Sequence, residues 1–265
     1  MKENFAIDFA DTPFPYTSHT GANSYRLNWR CEILLSRNRE AIKGKRILDL
    51  ASHDGRFTYA CLKLGAKHVT GVEGREYLIN SSIDNLTEMG YTAEQYNFIQ
   101  GDIFNYIGKL KPKEFDTILC LGFFDHTIRQ IELVREITRI QSTTLLLEMF
   151  MERGFFINIV NPLKLIPRIR FTHFSQISDC VDIAKGRGGK ACLVFRHESH
   201  EKEGSTIDPI DTSARPTNSF VELIFRTHGF DIKQLKWDKK EISNRGEVRQ
   251  YLRGTRACYI ARPIG

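Results

Sequence analysis

Residues 46–55 read RILDLASHDG, from Arg46 to Gly55. A short apolar run carries one acid, Asp49, near its end, and small or polar residues then lead to a glycine. That order describes a buried strand turning through a loop into a helix at Gly55, the usual way an open α/β sheet holds a nucleotide-type cofactor. Asp49 and Asp54 would repel a pyrophosphate, so the loop suits a cationic or hydroxyl-bearing ligand group. For the same reason a nicotinamide-dependent dehydrogenase is the weaker competitor.

Working outward, apolar runs alternate with amphipathic segments. Strands are expected at Arg46–Leu50, His68–Glu73, Tyr96–Gln100, Phe115–Leu121 and Thr143–Met149, with helices at Arg56–Leu64, Glu76–Met89 and Arg129–Ile140. Strands separated by helices imply right-handed crossovers and a mostly parallel sheet. Upstream, Ser24–Ile42 reads as one helix burying Leu27, Trp29, Ile33, Leu34 and Leu35. Downstream of Met149 the rhythm breaks for a long insertion with a short strand at Ala191–Phe195 and a polar loop from Ser199 to Thr217. It resumes with a helix at Thr217–His228 closed by Gly229, then strands at Asp231–Trp237 and Arg256–Arg262 as an antiparallel hairpin.

Composition sets wide bounds. The chain has 265 residues, 41% hydrophobic and 26% charged, which suits a single sizeable core. Six cysteines lie without a CxxC pair and read as reduced thiols. The acidic opening is unlike a signal peptide and no long apolar run occurs, so a cytoplasmic location is expected. Net charge is +6. Residues 1–151 carry 18 basic and 19 acidic side chains, and the remainder 20 and 13. That excess fits an anionic substrate, RNA or a solvated surface.

Two further acids follow at strand ends. Glu73 closes the second strand in VTGVEG about 20 residues after the loop, where a carboxylate accepts hydrogen bonds from ribose hydroxyls. Asp102 follows the third strand in QGDIF, and the fourth leads into LGFFDHT with Asp125 and His126.

This ordering resembles the Rossmann-like, class I S-adenosylmethionine-dependent methyltransferases, from Ile42 to Ser142 and in outline over Thr217–Pro263. The resemblance implies an α/β fold with a seven-stranded mostly parallel sheet, helices on both faces, a C-terminal antiparallel hairpin and an insertion after the fifth strand. It further implies one methyltransferase domain over 1–265, with an N-terminal helical lid at 1–42 and a substrate-covering insertion at 152–215. S-adenosyl-L-methionine would be held by Asp49, Ala51, Ser52, His53, Gly55, Glu73, Gly74, Asp102, Ile103, Leu121 and Gly122. The family's alternating glycines are replaced at Ala51 and His53. His126 is the candidate base, because imidazole titrates near neutrality; a packing role is the alternative.

Asp54, Gly55, Phe123, Phe124 and His126 also resemble the branch containing the tRNA wobble-uridine carboxymethyl- and methoxyuridine methyltransferases. That likeness fades after Met149. Within the insertion Arg168, Arg170 and His173, with Lys164, Phe171 and Phe174 nearby, are candidates for gripping an anionic or stacked substrate, or else a solvated surface. His197 and His200 lack a third metal ligand, no metal is expected, and GRGGK at 186–190 lacks the context of a P-loop. The expected activity is methyl transfer to an O or N atom of a small polar or anionic molecule. The alternatives are a tRNA acceptor and a non-catalytic cofactor-fold binding protein.

Overall fold

The computed structural model describes residues 5–17, 23–152, 184–186, 189–199, 207, 211–240 and 242–265. Seven strands form the main sheet: β1 (Arg46–Leu50), β2 (His68–Glu73), β3 (Tyr96–Gln100), β4 (Thr117–Leu121), β5 (Thr144–Phe150) and, from the end of the chain, Phe230–Gln234 and Arg256–Pro263. Their order runs from Phe230–Gln234 through Arg256–Pro263, β5, β4, β1 and β2 to β3. Arg256–Pro263 is antiparallel to β5 and to Phe230–Gln234, and the remaining neighbours are parallel. The sheet order reverses beside β1, between β4 and β2. In such a sheet the crevice at the carboxyl ends of those strands is where a ligand sits.

Both faces of the sheet are covered, which is why its central strands read as nearly continuous apolar runs. Successive residues take opposite sides. Leu48, Leu50, Ile118, Cys120, Leu145 and Leu147 pack with the helices Ile103–Ile107, Gln130–Ile140 and Asn218–Thr227. Ile47, Leu119, Leu121 and Leu146 pack with α1 (Phe14–Thr17), α2 (Ser24–Leu34) and α3 (Arg56–Lys63). On β2, Gly71 accommodates the neighbouring strand: a Cβ there would lie 2.5 Å from the Phe98 ring and 2.7 Å from Ser52 Oγ.

Departures from the sequence expectation have local causes. The Ser24–Ile42 segment is broken into α2, ending at Leu34, and a 3-10 segment at Ser36–Ala41 that is itself kinked at the non-helical Asn38. The Asn38 side-chain amide donates to the carbonyls of Ile33 and Leu34, satisfying the end of α2 and ending its run. All five residues expected to be buried there are buried, and α2 packs on the sheet face. The expected strand at Ala191–Phe195 is broken at Cys192, which exchanges hydrogen bonds with Thr217. Leu193–His197 pairs instead with Thr212–Pro216, so part of the expected polar loop is a strand. Gly229, at φ +80°, closes the helix Asn218–Thr227 as expected, a backbone state glycine adopts without steric cost.

Candidate active site

The β1–α3 loop has a regular backbone signature. Ala51, His53 and Gly55 take φ of +56°, +54° and +80°. These are the positions at which the resemblance puts glycines, so the left-handed conformations persist where two glycines do not. Each non-glycine there costs roughly 1–2 kcal/mol. Ala51→Gly is therefore expected to raise stability by about 0.5–1 kcal/mol, the relief being partly offset by a freer unfolded chain. Thermal melting checks this: an unchanged or lower Tm would contradict it.

Neighbouring elements hold the loop in place. His53 N–H donates to Glu73 Oε2 at 3.1 Å, His53 C=O accepts from Ser82 Oγ at 2.8 Å, and Asp54 C=O accepts from Asn85 Nδ2 at 3.0 Å. Arg56 Nε donates to the buried Asp54 carboxylate at 2.6 Å, and this guanidinium holds Asp54 down at about 2 despite its burial. Arg56 Nη2 lies 2.7 Å from His53 Nδ1. A guanidinium only donates, so Nδ1 accepts and the imidazole proton sits on Nε2. That atom is buried without a hydrogen-bond partner, as is Ser52 Oγ. Ser52 itself is directed against Gly71.

The acids differ in what they do. Asp49 is 1% exposed and accepts from Thr58 Oγ1 at 3.1 Å, tying β1 to α3. Burial pushes its carboxyl up to about 7. Glu73 divides its oxygens between the backbone N–H groups of His53 and Arg75. Gly74, next along, has Ile207 over it, with Cδ1 2.5 Å from where a Cβ would stand. Asp102 caps the helix Ile103–Ile107 by accepting from Asn105 N–H at 2.8 Å, while Ile103 is buried.

At the β4 end, Leu121 is buried and Gly122 turns at φ +88°. Phe124 is buried in the core and Phe123 packs against it, which delivers Asp125 and His126 to the crevice. His126 Nδ1 lies 2.9 Å from both oxygens of Glu198, and Nε2 is 3.8 Å from Asp125 Oδ2. Burial pulls the imidazole down, but Glu198 and Asp125 outweigh it and leave the pKa raised. Glu198 is lowered by the same pair, against its own burial. The sequence reading passed over Glu198, since in RHESHE the histidines drew notice; one signal was its place after the strand Leu193–His197.

Behind this lies an ion cluster centred on Glu148 of β5, which is 0% exposed. Arg30 donates to both of its oxygens, Nε at 3.0 Å, and the Tyr251 hydroxyl donates to one of them. Arg256 Nε stands 3.7 Å away. The Arg256 and Arg30 charges hold Glu148 down at about 2 despite burial. A metal ion between Asp125 and Glu148 would have to displace Arg30 and Tyr251. Among the described residues no His, Cys, Asp and Glu group is arranged to hold a metal.

Residues 42–149 match the family model of a methyltransferase domain. The matched span runs from before β1 into the end of β5, and it contains Asp49, Glu73, Asp102, Gly122 and His126. Among solved structures, the N-terminal domain of EvdMO1 with SAH bound superimposes with a TM-score of 0.60 and 16% identity, covering 94% of this chain and 85% of that one. An S-adenosylmethionine dependent methyltransferase from Mesorhizobium loti gives 0.57 and 15%, covering 89% and 97%. A further one, described as putative, from Listeria monocytogenes gives 0.58 and 12%, covering 91% and 99%. At such identities the likeness is one of fold. No curated protein sequence matches the chain. The likeness is to class I methyltransferases in general; none of these three structures carries it to the wobble-uridine branch.

S-adenosyl-L-methionine is the cofactor of such a domain, and the loop fits it. Left-handed backbone at 51, 53 and 55 opens the β1 end, and His53 Nε2 is a buried donor without a partner there. The candidate substrate residues Arg168, Arg170 and His173, together with Lys164, Phe171, Phe174 and His200, lie outside the described residues. His197 is exposed. No helix among the described residues is long and apolar enough to cross a membrane.

Proposed function

We propose that the chain transfers a methyl group from S-adenosyl-L-methionine to an O or N atom of a small polar or anionic molecule. The observation that carries this reading is the pair of tips flanking β1: Glu73 tied to the cofactor loop on one side, and His126 held by Glu198 on the other. Glu73 keeps an acceptor lone pair on each oxygen for ribose hydroxyls, and Asp102 and Ile103 stand at the next strand tip for the adenine. Asp49, Ala51, Ser52, His53, Gly55 and Gly74 frame the methionine and ribose side, and Leu121 and Gly122 line the β4 side.

When bound, the cofactor supplies an electrophilic methyl group on a sulfonium sulfur. The residues of this chain align the acceptor and take its proton. Glu198 fixes the tautomer of His126 with the proton on Nδ1, leaving the Nε2 lone pair as base. Asp125, 3.8 Å away, stabilises the imidazolium that forms.

Calorimetry with S-adenosyl-L-methionine and with SAH tests the reading. Glu73→Ala removes two charge-assisted ribose contacts and is expected to weaken binding by about ten- to a hundredfold. Failure of either compound to bind the wild type, or unchanged affinity in Glu73→Ala, overturns it. A tRNA acceptor would instead show tRNA-selective binding that falls steeply with salt.

A further inference from the structure

Beside the His126 pair, Arg256 shares the Glu148 carboxylate with Arg30, and Arg215 has no carboxylate within ion-pair distance among the described residues. Arg256 opens the last strand, in register with Phe150 at the end of β5, and is 8% exposed. Both oxygens of Glu148 are already engaged by Arg30 and one also by Tyr251, so Arg256 Nε, at 3.7 Å, has no hydrogen-bond partner. Arg215 comes from the strand Thr212–Pro216, which the Glu152 N–H to Pro216 C=O bond sets beside the end of β5. The two converge on one ring: Arg256 Cζ is 4.4 Å and Arg215 Cζ 4.7 Å from the Phe150 centroid.

The surrounding carboxylates are engaged elsewhere. Glu152 is paired with Arg196 at 2.7 Å and Glu198 with His126. Asp125 is the remaining nearby acid; its field reaches both arginines, yet it forms no ion pair with either among the described residues, and its Oδ1 is buried without a hydrogen-bond partner. Arg30 takes both oxygens of Glu148 and Asp125 makes no ion pair with either arginine, so the buried Arg256 guanidinium shares its one contacting carboxylate, a place that an added anion would complete. The place is a ligand's place: Arg256 Nη2 would lie 3.3 Å from a Cβ on Gly122, so the glycine at the β4 tip leaves it room, and the charge of Arg256 is felt at His126.

We propose that Arg256 and Arg215, over Phe150, form an anion subsite for the methyl acceptor, which carries a carboxylate or a phosphate monoester. Naming that anion's owner as the acceptor rests on the methyl-transfer reading above. Planar guanidiniums suit both groups, since each presents paired oxygens to a fork of donors. The subsite adjoins the base, so an acceptor anchored there by its anion presents a neighbouring hydroxyl or amine to His126.

The test uses the whole protein, free and loaded with SAH, titrated at constant ionic strength with inorganic phosphate, with acetate and with neutral acetamide. Saturable stabilisation by phosphate or by acetate, and none by acetamide, is expected; whichever anion binds tells phosphate from carboxylate. Arg215→Ala, outside the Glu148 cluster, and Arg256→Lys, which keeps the charge beside Glu148, should each weaken that binding at least tenfold while SAH affinity holds. No saturable binding of either anion by the wild type, or full anion affinity in Arg215→Ala, overturns the subsite. SAH binding on the same samples judges the methyl-transfer reading separately. A chain that binds anions through Arg215 but not SAH keeps the subsite and loses its assignment to a methyl acceptor.

Discussion

Glu148→Ala is expected to lower the unfolding free energy by about 3–5 kcal/mol, the range for removing one partner of a buried ion pair. Glu148 is fully buried and accepts from Arg30 and Tyr251, with Arg256 beside it. Without it Arg30 and Arg256 remain in the interior with no counter-charge. Because the cluster joins α2, β5 and the last strand, the loss falls on the packing of the N-terminal segment against the sheet. Urea unfolding followed by circular dichroism measures it, and a change under about 1 kcal/mol would show the cluster to be dispensable. The pH dependence has a definite sign. Glu148 is depressed from an ordinary 4.5 to about 2, so its contribution is full above 4.5 and is lost as pH falls through that window.

His126→Ala is expected to lower kcat by about 10²–10⁴-fold, the usual weight of a positioned general base, with little change in SAH affinity. The imidazole is raised above its ordinary 6.5 by Glu198 and Asp125. A base must be neutral to act, so activity should climb with pH along a limb centred above 6.5. Glu198→Gln keeps the hydrogen-bonding shape but removes the charge, and should move that limb to lower pH and lower kcat. A purely structural Glu198 would leave the limb in place. The stability linkage runs the other way: the His126–Glu198 contact stabilises the fold below 6.5 and is lost as pH rises through the raised value. Equal pH–rate profiles for wild type and Glu198→Gln, or full activity in His126→Ala, would remove His126 from the chemistry.

Much of the sheet was legible because its cause is periodic and local. Continuous apolar runs such as Ile118–Leu121 and Leu145–Leu147 mark strands buried on both faces, and the amphipathic Gln130–Ile140 between β4 and β5 marks a crossover helix. The loop was harder. Ala51 and His53 look like a damaged glycine motif, yet both take the left-handed backbone, because Glu73, Ser82 and Asn85 hold it there from other elements. Asp102 was read as a ligand residue, and its carboxylate also caps a five-residue helix too short to announce itself.

The residues around His126 show where sequence stops. Glu198 lies 72 positions away, and it arrives only because Leu193–His197 pairs with Thr212–Pro216 over the β4 tip. Arg215 and Arg256 read separately as ordinary basic residues, one in a polar stretch and one opening the last strand. By itself the sequence determined the strand and helix order, the acids at successive strand ends and His126 after the fourth. Those follow from spacing along one chain. Only the tertiary structure decided that Asp49 serves α3, that Glu148 belongs to Arg30 and Tyr251, and that two arginines meet over Phe150. Burial and pairing depend on which distant segments share a low-dielectric volume, and no local pattern encodes that.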